Sequence, residues 1–363
     1  MKIKDLYYTL LKDDEDSRII EAIETIMKEN DAHNLSNFNI EYWLWQYRNL
    51  PTKHSFISIV KDNEDKILAY YHVPCYLGKL NNKEIKYAMI QDVAVSDKLR
   101  GQGIFREIAT YANNIINQNN IKIVYTFPNK KSIHTFLKYN DFKLVAEMDS
   151  FIMPFNTSSL INSKLCLSIF GRIIGSIFDF FYRIFSVKAD SKAKITQEIE
   201  ITEDIMSIYS SFQQSFDYGL IKNKDYLEWR FLRKPNQKHY IFTIYDNNNR
   251  PKALVVLKED NIKGIPCILI MDYAHVQEGE KYLLQLISNL RNNNKRYFTI
   301  PSGLLFTSMN SKLTRELKKI GLFSLPKKIN PRQLNLLVRS NENLENIYES
   351  RAWHITLSDW DVF

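Results

Sequence analysis

The chain has 363 residues, 45% hydrophobic and 25% charged, enough for two folded domains with cores of ordinary size. A formal net charge of +8 suits an anionic partner, but the lysines are scattered and no zinc finger, aromatic RNA-binding signature or basic helix accompanies them, which argues against nucleic acid. Cys75, Cys166 and Cys267 are odd in number and far apart, which speaks against a disulfide frame or a zinc site and for the cytosol.

The first segment, MKIKDLYYTLLKDDED, reads as a strand over Ile3–Leu11 whose apolar run stops at Lys12-Asp13-Asp14, too short for an ordinary secretory signal. Helical spacing follows over Ser17–Lys28 and Asn39–Asn49, then a hairpin from Phe56 to Tyr76 that turns at Asp62-Asn63. Next come a strand at Ile90, a helix from Phe105, a strand over Lys122–Phe127, a helix over Lys131–Tyr139 and a last pair of strands to Phe155. This order predicts a mixed α/β fold.

The segment Ile90–Tyr111, IQDVAVSDKLRGQGIFREIATY, holds the chemistry. Asp92-Val93-Ala94-Val95 alternates as a strand, Ser96-Asp97-Lys98 is a polar turn, and Ile104, Ile108, Tyr111, Ala112 and Ile115 recur at helical spacing. Between them, Arg100-Gly101-Gln102-Gly103 lets the backbone turn tightly, so that the free N–H groups of the helix's first turn meet at one spot where the dipole favours an anion. A P-loop needs Gly-Lys-Ser/Thr after four residues, and the dinucleotide fingerprint needs a third glycine near Glu107; neither is present.

These residues resemble the acetyl-CoA loop of the GNAT superfamily of N-acetyltransferases, Arg/Gln-x-x-Gly-x-Gly/Ala after a strand, with Arg100 in the first position and Gly103 as the central glycine. Phe105 replaces the last small residue, and the Arg-Gly-x-Gly-Ile-Phe variant resembles one branch of the superfamily. The resemblance implies a sheet whose middle strands splay around the pantetheine arm of acetyl-CoA. Val93, Ala94 and Val95 would then offer backbone N–H groups to the thioester, Arg100, Gly101, Gln102, Gly103, Ile104 and Phe105 would hold the diphosphate, and Asn129 would touch the CoA arm. No metal is implied. Asp92, beside the thioester strand, is the expected base for the acceptor amine. Phe136 stands where many relatives have an acidic tyrosine, so Tyr139, one turn on, is the substitute, with His134 as another titratable neighbour.

A second copy of the plan follows. Tyr42–Tyr47 before Pro51 matches Tyr226–Phe231 before Pro235; Asp92 matches Asp272, Tyr125–Pro128 matches Phe298–Pro301, and Leu137-Lys138 with Phe142 matches Leu317-Lys318 with Leu322. The paired aromatics Tyr42, Trp45, Tyr226 and Trp229 read as packing of a helix on a sheet rather than a sugar-stacking platform, and Asp272 gives Asp92 an alternative, architectural reading. In the second copy His275–Glu280 has no Gly-x-Gly, and Glu278 and Glu280 would repel a diphosphate. The expected division is therefore a CoA-binding domain over 1–158, a connector over 159–194 and a degenerate GNAT-like domain over 195–363.

Leu165–Ser186 is apolar with one polar stripe; the favoured reading is a helix between the domains, the alternative a helix laid in the inner membrane surface. The end, Trp353–Asp361, resembles the tails of tandem GNAT proteins associated with bacterial surface polysaccharides, with Asp359 or Asp361 expected to bind the acceptor amine. The function implied is acetyl transfer from acetyl-CoA to an amine such as an amino sugar. A noncatalytic acyl-CoA-binding scaffold or sensor is the alternative.

Overall fold

The computed structural model describes residues 6–30, 39–155, 193–262, 264–299, 301–325 and 334–360. The apolar connector 165–186 and Asp361 lie outside them. In chain order the elements are β1 (Tyr7–Leu10), α1 (Asp16–Glu29), α2 (Ile40–Tyr47), β2 (Ser55–Lys61), β3 (Ile67–Leu80), β4 (Lys83–Val95), α3 (Ile104–Gln118), β5 (Ile123–Thr126), α4 (Ile133–Tyr139) and β6 (Lys143–Pro154). They continue as β7 (Lys194–Glu198), α5 (Glu203–Phe212), β8 (Tyr218–Leu220), β9 (His239–Tyr245), β10 (Pro251–Ile262), β11 (Ile265–His275), α6 (Glu280–Asn292), β12 (Gly303–Ser308), α7 (Ser311–Lys319), β13 (Phe323–Ser324) and β14 (Leu334–Ser340). No helix among the described residues is long and apolar enough to cross a membrane.

Two compact units result: Met1–Ala146 with Asn335–Ala352, and Glu147–Leu334 with Trp353–Phe363. In the first, β1 to β4 are antiparallel neighbours in sequence order, β5 runs parallel to β4, and β14 closes antiparallel on β5. In the second, β7, β9, β10 and β11 are antiparallel neighbours, β12 runs parallel to β11, and Asp149–Pro154 of β6 closes antiparallel on β12. The last strand of each sheet thus comes from the other half of the sequence. Instead of the pair of strands expected before Phe155, there is one long strand, and its outer part belongs to the second unit.

The first unit's sheet is buried on both faces because β3 alternates between two cores. Tyr70 meets Ile19, Ile23, Ile26 and Trp43 of α1 and α2, whereas Tyr71 meets Ile104, Ile108 and Ala112 of α3 and Phe136 of α4. Each fully buried Ile contributes about 1.5–3 kcal/mol. Helix α2 starts where it does because the Asn39 side chain accepts the Tyr42 N–H at 2.8 Å. Its Tyr42 and Trp45 rings stand 5.5 Å apart, and the matching Tyr226 and Trp229 rings 5.7 Å apart.

The second unit is organised around a buried charge. Lys222 Nζ donates to Asp272 Oδ2 at 2.8 Å, to Thr356 Oγ1 at 3.1 Å and to Ser358 Oγ at 3.0 Å, and lies 3.2 Å from Asp359 Oδ1. Tyr209 donates to the same Asp272 oxygen at 2.8 Å. Burial, with Asp272 nearby, raises the Asp359 carboxyl above its ordinary value against the pull of Lys222. Removing the single cation would leave two enclosed carboxylates uncompensated. Lys222→Met should therefore lower unfolding free energy by about 3–5 kcal/mol in urea titration; a loss below about 1 kcal/mol would show the cluster to be structurally neutral.

Candidate functional site

Strand β4 sets the site's geometry. Tyr71 pairs with Val93, but His72 pairs with Gln91, so Asp92 is the extra residue of a β-bulge. Its φ of 45° lies in the left-handed region that asparagine and aspartate tolerate best. Pairing between β4 and β5 covers only Tyr87–Ile90 against Ile123–Thr126, and the Thr126 hydroxyl closes it by donating to the Ile90 carbonyl at 2.9 Å. Beyond Ile90 the β5-side edge of Gln91–Val95 has no paired strand among the described residues, which leaves Val93, Ala94 and Val95 along a gap.

At the head of that gap the chain turns through Arg100–Gly103 into α3. Gly101 has φ 75° and Gly103 φ 83°, and a Cβ on either would meet nothing within 4 Å. The N–H groups of Arg106 and Glu107 are taken by the Gly103 carbonyl, at 2.9 and 3.2 Å. Among the described residues, no group accepts from the N–H of Gly101, Gly103, Ile104 or Phe105, and no side chain caps the helix. Four main-chain donors at the start of a 15-residue helix make an anion cradle with open space above it. Gln102 is tied back through its side-chain amide to the Lys98 carbonyl at 2.9 Å. Arg100 is held at the rim by Asp97, 2.7 Å from its Nε, and by the Asn30 side chain. An open cleft of about 590 Å³ starts at Gly103 and runs past Arg106, Thr110, Tyr111 and Asn114. The chemistry of this donor set fits a diphosphate, because each amide can accept no covalent role and needs only an oxygen in front of it.

On the α2 side of the sheet, the Asp92 carboxylate is exposed to solvent at one edge and accepts the Tyr47 hydroxyl. Gln91 Nε2 donates to the same Tyr47 oxygen at 3.0 Å. His72 is fixed by both ring nitrogens: Nδ1 donates to the Asp92 carbonyl at 3.0 Å, and Nε2 accepts Trp43 Nε1–H at 3.2 Å. Burial lowers its pKa to about 4, so it is a neutral strut for the bulge and not a proton acceptor. Tyr47, His72 and Gln91 were not singled out from the sequence. The Trp43/Tyr47 pair at i, i+4 was the available signal, since one face of α2 had to carry both toward β3.

The other expected residues are placed as follows. Asn129 caps the turn before α4, its Oδ1 accepting the N–H of Lys131 at 2.9 Å and of Ser132 at 3.0 Å. Phe136 is buried, with Phe105 at 5.7 Å and Phe142 at 5.5 Å, so Phe105 fills core beside α4. Tyr139 is 48% exposed, with the Arg106 guanidinium 5.9 Å from its ring centre. Asp359 lies in the second unit's buried cluster, where the ammonium it receives is that of Lys222. A carboxylate so enclosed has a structural partner already. In that unit the start of α6 is crowded at Gly279 and carries an acidic side chain. The Gly279 N–H is bonded to the Val276 carbonyl at 2.8 Å, a Cβ there would lie 2.6 Å from the Lys252 carbonyl, and Glu280 is paired with Lys312 at 2.8 Å. Among the described residues, no cluster of His, Cys, Asp or Glu is placed to hold a metal ion.

Residues 8–140, which contain the bulge, the cradle and α4, match the family described as acetyltransferase (GNAT) domain. Among curated proteins no relative matches. Among solved structures the chain is similar to a conserved protein of Enterococcus faecalis described as a probable N-acyltransferase, with TM-score 0.65 and 10% identity over 93% of this chain and 73% of the other. A GCN5-related N-acetyltransferase from Anabaena variabilis gives TM-score 0.63 at 11% identity, again over 93% and 73%. Saccharomyces cerevisiae N-myristoyltransferase with bound myristoyl-CoA gives 0.59 at 13% identity, over 94% and 80%. These likenesses show the fold, a mixed α/β architecture shared with N-acyltransferases.

The buried histidines give this fold a pH signature. His72 is held near 4, and His239 and His354 near 3, all lowered chiefly by burial. Between those values and about 6.5 the unfolded chain binds more protons than the folded one, so stability is lost as pH falls through that window. The thermal midpoint should drop from about pH 7 to about pH 5, and His72→Gln should flatten part of the slope. A variant with the wild-type slope would contradict the neutral strut.

Proposed function

We propose that this chain is an acyl-coenzyme A-dependent N-acyltransferase that moves an acetyl group to an amine, with amino sugars as the acceptor class. The observation that carries the reading is the set of N–H groups at Gly101, Gly103, Ile104 and Phe105 that have no acceptor among the described residues, in the turn that follows the unpaired part of β4. The family match over 8–140 and the N-acyltransferase folds support it.

When bound, coenzyme A supplies an activated thioester. Gly101, Gly103, Ile104 and Phe105 grip its diphosphate with Arg100 and Gln102 at the rim, Val93–Val95 line the pantetheine arm and orient the acyl carbonyl, and the Asn129 amide reaches the arm from the α4 side. Asp92 takes the proton from the incoming ammonium, while Tyr47 and the His72 strut hold its carboxylate and backbone in place. Tyr139, exposed beside the Arg106 guanidinium, is the group that returns a proton to the leaving thiolate. The second unit, with Glu278 and Glu280 and no Gly-x-Gly at the start of α6, serves as a scaffold in a tandem arrangement. The protein acts in the cytoplasm, with the inner membrane surface reachable through 165–186.

Isotope-labelled acetyl-CoA offered with a panel of amino sugars and other amines should give a labelled N-acetyl product. Label retained on coenzyme A with every amine would favour a noncatalytic binding protein. Arg100→Glu should weaken coenzyme A by more than about tenfold in calorimetry, through lost rim contacts and added repulsion. Asp92→Asn should keep that affinity and lower kcat about 10²-fold or more; an unchanged kcat would remove Asp92 as the base. Titrating acetyl-CoA against myristoyl-CoA decides the acyl length, and tighter binding of the long chain would contradict the acetyl assignment.

A further inference from the structure

The turn that leads into the cradle has little support of its own. From Asp97 to Gly103 only Leu99 is buried, and the short helical turn over Asp97–Leu99 receives no cap from the Ser96 side chain. The cap comes from a residue 67 positions upstream of Ser96. Glu29, the last residue of α1, accepts the Ser96 hydroxyl at 2.6 Å and the Asp97 N–H at 3.2 Å on one carboxylate oxygen. Asn30 follows, its amide donating to the Val95 carbonyl at 3.4 Å and accepting from the Arg100 guanidinium. The end of α1 thus holds the segment Val95–Arg100 at four points, although α1 packs on the Tyr70 face of the sheet and α3 on the Tyr71 face.

Electrostatics alone disfavours a carboxylate at that place. A helix C-terminus repels negative charge, and so would a diphosphate in the neighbouring cradle. Order offsets both. A loop that must be fixed when its ligand arrives loses affinity to the entropy of ordering, whereas a loop fixed beforehand does not. We propose that Glu29 is a positioning residue: by capping Ser96 and Asp97 from α1 it holds the turn so that the N–H groups of Gly101, Gly103, Ile104 and Phe105 converge before coenzyme A binds, while Asn30 sets Arg100 at the rim. This rests on the reading of Arg100–Phe105 as the coenzyme A loop. Glu29 acts through the turn and touches neither the thioester nor the amine, so its effect falls on acyl-CoA affinity and not on the chemical step.

Calorimetric titration of the full chain with coenzyme A, comparing Glu29→Ala with Glu29→Gln, tests this. The glutamine variant keeps an oxygen that accepts both hydrogen bonds and sheds the charge, so it should bind at least as tightly as wild type. The alanine variant should bind about fivefold more weakly, the effect of one lost cap. In the labelled-acetyl transfer assay its KM for acetyl-CoA should rise with kcat unchanged. If the alanine variant does not fold, Ser96→Ala, which removes one of the two hydrogen bonds, carries the test with an expected loss of about threefold. Coenzyme A affinity equal to wild type in whichever of these two variants is folded would overturn the proposal and leave the loop reading standing. A glutamine variant as weak as the alanine variant would assign the effect to charge and overturn it too. A wild-type protein that binds no coenzyme A would overturn the loop reading and this proposal together.

Discussion

Backbone amides need acceptors, and those of Gly101, Gly103, Ile104 and Phe105 find none among the described residues. Everything proposed for the first unit depends on that deficit. It arises from the two left-handed glycines, which swing the chain away from β4 and aim the first turn of α3 outward. It persists because no side chain caps the helix and Arg100 is drawn aside by Asp97 and Asn30. In the second unit the start of α6 is more crowded: the Gly279 N–H is taken by the Val276 carbonyl and a Cβ on Gly279 would lie 2.6 Å from the Lys252 carbonyl.

The second constraint is the bulge at Asp92. An extra residue in β4, held by the His72 ring, separates the strand's two roles. Up to Ile90 it is paired on both edges, and from Gln91 to Val95 no strand among the described residues pairs with its β5-side edge. In the second unit β11 also carries a bulge, but there Met271 is the extra residue and Asp272 is paired with Val256 and engaged by Lys222 and Tyr209. Relative to the bulges, Asp272 thus stands one place on from Asp92, and the two have different chemistry. One carboxylate faces solvent beside a tyrosine, and the other is locked in a buried ion cluster.

What could be read from the sequence follows the range of the forces involved. The glycines at 101 and 103 were legible because left-handed backbone needs them, and α1, α3 and the β2–β3 hairpin because their periodicity is local. The exchange of closing strands was not, because the apolar alternation of β6 and β14 says that a strand forms and not which sheet it joins. Asp359 looked like a free tail carboxylate, since its partner Lys222 stands far off in sequence with nothing in its local pattern to mark it as buried. Phe105 read as a misfit in the loop motif; in the fold it is the contact that ties the loop to Phe136 and Tyr71.

A crystal structure of the protein soaked with coenzyme A tests the central claim most directly. The account predicts diphosphate oxygens within about 3 Å of the N–H groups of Gly101, Gly103, Ile104 and Phe105, with the pantetheine arm beside Val93–Val95. Coenzyme A bound elsewhere, or a cradle left without it at saturating concentration, would contradict it.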